Sequence, residues 1–179
     1  MCRTGSLILS SSPKRAAALV ALLALAGCGF TPLYGGEAGQ DTSAKLDQVK
    51  VSNIPERPGQ LLRISLESKL HVDGAPQTEL YALNVSYNII TSDIGMLQDS
   101  ATTYSRMQAT ANWSLVPIGD PSHPLATGTA TGMDSMNIID NQYFAQDLET
   151  STVNQQLADM VAAQITAQLA SWFRAHPNA

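Results

Sequence analysis

Cysteine is nearly missing from this chain. Its 179 residues include two, Cys2 and Cys28, both within the first 28 positions. A structural zinc site draws on about four close ligands, so cysteine builds none here. A disulfide-stapled fold is excluded too. Charge is sparse: charged residues make up 14% of the chain, the net is −5, and Lys and Arg nowhere form a block. Nucleic-acid binders cluster cations against phosphates, which removes that partner class. Disorder needs low hydrophobicity with high charge, and 44% of these residues are apolar. The length suits one domain with one core.

Catalytic groupings are missing as well. His71, His123 and His176 are scattered, with no HExxH among them. There is no GxSxG elbow, and Gly128-x-x-x-Gly132 lacks the Lys-Ser/Thr of a phosphate loop. Asp93 with Asp99, and Asp147 with Glu149, read as solvated acids, the latter pair suited to the start of a helix. The expectation is a protein that is not an enzyme, with no metal and no cofactor.

The N-terminus carries the strongest signal. Arg3, Lys14 and Arg15 are the only charges before Cys28. Ala16–Ala26 is an apolar run of 11 residues, against about 20 for a membrane-spanning helix. A positive stretch followed by a short apolar core reads as a signal peptide over residues 1–27. The run ends Leu25-Ala26-Gly27-Cys28, which resembles the bacterial lipobox at all four positions. That resemblance implies cleavage between Gly27 and Cys28, with lipid on the Cys28 thiol and usually on its new amine. Two or three acyl chains make a firm anchor. From Cys28 onward, seven Lys and Arg stand against 15 Asp and Glu, a net of −8. Gly29 follows the lipidated position, where Asp would signal inner-membrane retention; the outer membrane is therefore expected.

Residues 28–44 read as a lipidated tether, rich in Gly and without apolar periodicity. Residues 45–176 read as a single domain, and 177–179 as a tail. Lys45–Ile54 reads as a strand. Leu62, Leu66 and Leu70, with Leu61 beside them, make a helical stripe, and Pro58 suits its first turn. Glu79–Thr91 alternates: Tyr81, Leu83, Val85, Tyr87 and Ile89 on one face, and Ala82, Asn84, Ser86 and Asn88 on the other. Thr103–Val116 alternates again, with Met107, Ala109, Ala111, Trp113 and Leu115 inward and Arg106, Gln108, Thr110, Asn112 and Ser114 outward. Leu125–Asn137 reads as a fourth strand, whose Gly128 and Gly132 weaken it or admit a close neighbour. Asn141–Arg174 is a long helix with a stripe of Val153, Leu157, Met160, Val161, Ile165, Leu169 and Trp172, preceded by Phe144 and Leu148. Poor helix formers at Thr150–Val153 predict a kink or late start near residue 152.

The order β-α-β-β-β-α predicts an α+β two-layer sandwich: a four-stranded, mostly antiparallel sheet with two helices on one face. The other face carries uncharged polar residues, where a solvated face usually carries Lys and Glu. Contact with another surface is the expectation, through Asn84, Ser86, Asn88, Gln108, Thr110 and Asn112.

Cys28-Gly29-Phe30-Thr31-Pro32-Leu33-Tyr34-Gly35 resembles the mature start of lipopolysaccharide-assembly lipoproteins of the LptE family, alphaproteobacterial members above all. The element layout is similar across the rest of the chain. The resemblance implies a non-enzymatic lipoprotein, held in the outer membrane by its lipid and facing the periplasm. It implies a plug in the lumen of the LptD β-barrel, which inserts lipopolysaccharide into the outer leaflet, and contact with lipopolysaccharide itself. An anionic lipid calls for cations. Alternation places Lys50 and Arg106 on the helix-free face, as candidate contacts. The rival reading is an auxiliary lipoprotein of an ABC-type lipid transporter.

Overall fold

Alternating apolar and polar residues bury one face of an extended chain and wet the other. The computed structural model of the protein, which describes residues 37–72, 74, 78–96, 102–137 and 143–178, holds strands where that alternation runs. In chain order the elements are α1 (Glu37–Leu46), β1 (Val49–Val51), α2 (Glu56–Leu70), β2 (Tyr81–Met96), β3 (Thr102–Pro117), β4 (Ala126–Asn137) and α3 (Tyr143–Ala175). The sheet order is β1-β2-β3-β4, with β1 parallel to β2 and the other pairs antiparallel. This is the expected α+β class with one added helix at its front.

That helix corrects the tether expected through residue 44. Residues 37–46 lack an apolar stripe, yet Thr42 and Leu46 are buried. Lys45 fastens the helix from outside: its Nζ donates to the carbonyls of His176 and Pro177, at 3.2 and 2.6 Å, and stands 5.9 Å from the Phe173 ring centroid. A cation just beyond the C-terminal end of α3 is electrostatically favoured. With α1 reaching Leu46, the expected strand over 45–54 shortens to Val49–Val51. The signal segment, Gly27 and Cys28 lie outside the described residues.

The turn into α2 is tight. Ile54 is buried, and a Cβ on Gly59 would stand 2.7 Å from its Cγ2. Glycine is therefore required at Gly59 for this packing. Leu62, Leu66 and Leu70 are buried as the spacing predicts.

Side-chain size decides where the helices lie. On the covered face, cross-strand rows read Tyr87–Ala111–Ala130 and Ile89–Ala109–Gly132. The small residues of β3 and β4 form a trough, and α3 settles into it. A Cβ on Gly132 would stand 3.3 Å from Val161 Cγ2. The core stripe of α3 is Val153, Leu157, Val161, Ile165 and Leu169, as expected, joined by Ala158, Ala162, Ala170 and Phe173. Met160 and Leu148 are exposed and Trp172 is half-buried, which corrects their assignment to the core. Alanine brings the helix closer to the sheet than Met or Trp would allow, so the larger side chains sit on the flanks.

No break divides α3 near residue 152; it runs as one helix of 33 residues. Thr150 Oγ1 donates to the Gln146 carbonyl and Thr152 Oγ1 to the Leu148 carbonyl, which absorbs these poor helix formers into the turn before them.

Candidate functional site

The strands leave one face uncovered by α2 and α3. Its rows follow from the register. From one end they run Lys50–Ala82–Val116, Asn84–Ser114–Thr127, Ser86–Asn112–Thr129, Asn88–Thr110–Thr131, Ile90–Gln108–Met133 and Ser92–Arg106–Ser135. The six expected contact residues therefore share one surface. Asn84, Ser86, Asn88, Gln108 and Asn112 are exposed and Thr110 is half-buried.

The middle of this face is polar without being charged, and its groups are partly engaged with one another. Ser52 Oγ donates to Asn84 Oδ1 at 2.7 Å. Thr129 Oγ1 donates to Asn112 Oδ1 at 2.9 Å. A shallow depression of about 370 Å³ lies here, lined by Asn84, Ser86, Asn112 and Ser114 among others. Apolar groups bracket the band. Leu80, Ile118 and Leu125 are exposed near the β1 end, and Ile90 and Met133 toward the other. Sequence reading missed these brackets, because a single apolar residue at an outward position carries no period of its own.

The two candidate cations do not meet. Lys50 lies in the first row and Arg106 in the last. Ten residues of β3 separate Arg106 from Val116, the residue in the Lys50 row. At about 3.3 Å per residue that is roughly 33 Å. Lys50 Nζ is held by Glu79 Oε2 at 2.6 Å, an exposed ion pair of small energetic weight. Arg106 is exposed and has no ion-pair partner among the described residues.

Among the described residues the remaining polar groups lie apart from one another. His71 Nε2 lies 3.0 Å from the Val49 carbonyl, His123 pairs with Asp120, and His176 stacks on Trp172. Asp93 accepts from Ser105 Oγ at 2.6 Å, and Asp99 lies outside the described residues. Asp147 is exposed and Glu149 half-buried in the early turns of α3. Among the described residues no group of three His, Cys, Asp or Glu side chains could hold a metal ion. No described helix is long and apolar enough to cross a membrane. One titration stands out on the covered side: burial pushes the Tyr87 hydroxyl up to about 12.

Behind the open face, Trp113 fixes β3, β4 and α3 together. Its Nε1 donates to Gln168 Oε1 at 2.8 Å, and Gln168 Nε2 donates to the Thr129 carbonyl at 3.0 Å. The face is therefore a rigid sheet surface, backed by a packed helix.

No family model matches the chain, and no curated protein matches it. Solved structures do. A candidate lipoprotein of Caulobacter crescentus is similar over 79% of this chain and 99% of its own, with 19% identity and a TM-score of 0.63. A minor lipoprotein of Acinetobacter baumannii is similar over 69% of this chain and 91% of its own, with 18% identity and a TM-score of 0.54. The rare lipoprotein B of Shewanella oneidensis is similar over 69% of this chain and 92% of its own, with 10% identity and a TM-score of 0.51. At these identities the shared property is the fold.

Proposed function

We propose that this chain is a lipoprotein anchored in the outer membrane through Cys28, facing the periplasm, and that it acts without catalysis. Its work is to plug the LptD β-barrel and assist its assembly for lipopolysaccharide insertion. The observation that carries this reading is the open face. A barrel lumen is polar and wet. A surface of hydroxyls and amides can dock there by exchanging water for neutral hydrogen bonds, without desolvating charges. The rigid backing through Trp113 suits a plug, since a preordered surface loses little entropy on docking. The lipobox supplies the anchor, and the fold shared with solved lipoproteins agrees with it.

Lipopolysaccharide contact belongs at Arg106. Its guanidinium is exposed beside Ser92 and Ser135, with Ile90 and Met133 one row away. A planar cation next to apolar side chains fits a lipid carrying phosphate. Lys50, far along the sheet and engaged by Glu79, would make a separate and weaker contact.

The test is recovery of the tagged, lipidated chain from detergent-solubilised outer membranes, with its companions identified by mass spectrometry. A large β-barrel near one-to-one, retained at high salt, supports the reading. Subunits of an ABC-type transporter in its place would overturn it in favour of the auxiliary-lipoprotein role.

A further inference from the structure

Neutral hydrogen bonds position a docked surface but add little to its hold, since each replaces a bond to water of similar strength. The polar rows of the open face therefore account for where the chain docks, and not for how firmly. Firmness needs apolar area removed from water. One end of the open face offers that area in a compact patch.

The patch lies around Val116, which is itself buried. Leu80, Ile118 and Leu125 are 47, 47 and 40% exposed. Ile118 N–H donates to the Leu80 carbonyl at 3.0 Å, which carries the β2–β3 ladder one residue past Tyr81 and Pro117. Leu125 N–H donates to the Leu115 carbonyl at 2.8 Å, beside the Leu115–Ala126 pair that closes the β3–β4 ladder. Each of the three stands two residues from an open-face position, Ala82, Val116 or Thr127, so strand phase turns it to the same side. Lys50 and Glu79 border the patch and neutralise each other.

Two features fit this patch for a firm contact. Its backbone is held by ladder bonds, so its side chains lose little freedom on docking. It is also continuous with the polar band: the row Asn84–Ser114–Thr127 directly follows the row of Ala82 and Val116. A surface laid on the band therefore covers the patch as well.

We propose that Leu80, Ile118 and Leu125 are the residues that hold the chain in its barrel, against an apolar site on the lumen wall. This deepens the plug reading and rests on it. A lumen is otherwise polar, so aliphatic or aromatic side chains at that place mark the partner barrel among other barrels. A bilayer fits the patch less well. Lowering this face onto hydrocarbon would strip water from the adjoining amides and hydroxyls without offering them partners. A protein wall presents apolar and polar groups side by side. A second copy seated here would leave the open face nothing to offer the barrel.

The test uses the full lipidated chain, tagged and recovered from detergent-solubilised outer membranes. Leu80→Gln, Ile118→Gln and Leu125→Gln each exchange an exposed apolar side chain for a polar one of similar size. Each is expected to speed loss of the barrel from the immobilised chain about tenfold, and the triple variant to retain little barrel. Ser86→Ala, in the polar band, is expected to change retention less than any of the three. Ile64→Gln, at an exposed position of α2, is expected to leave it unchanged. A photoreactive residue at Leu125, which does not depend on the Gln variants folding, is expected to give an adduct with the same barrel. Equal retention by the triple variant and the wild type would overturn the proposal and leave the plug reading standing. So would a phospholipid adduct, or a dimer of the chain, in place of the barrel adduct from Leu125. A wild-type chain that recovers no barrel would overturn the plug reading, and this proposal with it.

Discussion

The Trp113 indole occupies the space that a side chain at Gly128 would need. The two residues face each other across β3 and β4, and a Cβ on Gly128 would stand 2.6 Å from Trp113 Cζ2 and 2.9 Å from its Nε1. Gly128→Ala is expected to push the ring off the strand and cost about 1–3 kcal/mol, as overpacking does. Chemical denaturation measures the loss, and altered tryptophan emission would accompany it.

Gln168 is the second half of the same device. Gln168→Ala leaves the Trp113 N–H and the Thr129 carbonyl without their partner, an expected loss of about 1–3 kcal/mol. Both substitutions act through one ring, so the double variant should lose less than the sum of the two single losses. Additive losses would mean that Gln168 and Gly128 stabilise the sheet independently.

Tyr87 is a stability reserve and a pH probe. Its hydroxyl is shielded without a hydrogen-bond partner among the described residues, and burial raises its pKa from 10.0 to about 12. A folded-state value above the unfolded one means that the favourable contribution is complete below pH 10. It is lost as pH rises from there through about 12. Tyr87→Phe is expected to be neutral or stabilising by up to about 1 kcal/mol at neutral pH. It should also lose less stability than the wild type between pH 10 and 12 in denaturation measurements across that range.

Gly59 sets the entry to α2. With a Cβ there 2.7 Å from Ile54 Cγ2 and 3.0 Å from the Ile54 carbonyl oxygen, Gly59→Ala must displace backbone as well as side chain. A loss of about 1–3 kcal/mol is expected, read as a lower denaturation midpoint with an unchanged denaturant slope.

Alternation made β2 and β3 legible, because one buried face forces a period of two and a one-residue slip would exchange the faces. The placement of Asn84, Ser86, Asn88, Gln108, Thr110 and Asn112 on the open face followed from that phase alone. Helix α1 was not legible: EAGQDTSAKL has no apolar stripe, and part of what holds it is Lys45 reaching the far end of the chain. The separation of Lys50 from Arg106 needed the strand register, since alternation gives the face but not the distance along it. The glutamines that bond to β4 were invisible for a similar reason. Gln164 and Gln168 read as a polar helix flank until α3 is placed beside the edge.

The proposed plug role requires that the open face, and not the helical one, docks inside a barrel. The most direct measurement is photo-cross-linking in intact cells, with a photoreactive residue at Asn112 on the open face or at Ala167 on the exposed side of α3. A strong adduct with a large outer-membrane β-barrel is expected from Asn112, and a weaker one or none from Ala167. Equal adducts from both positions, or a barrel adduct from Ala167 alone, would contradict it.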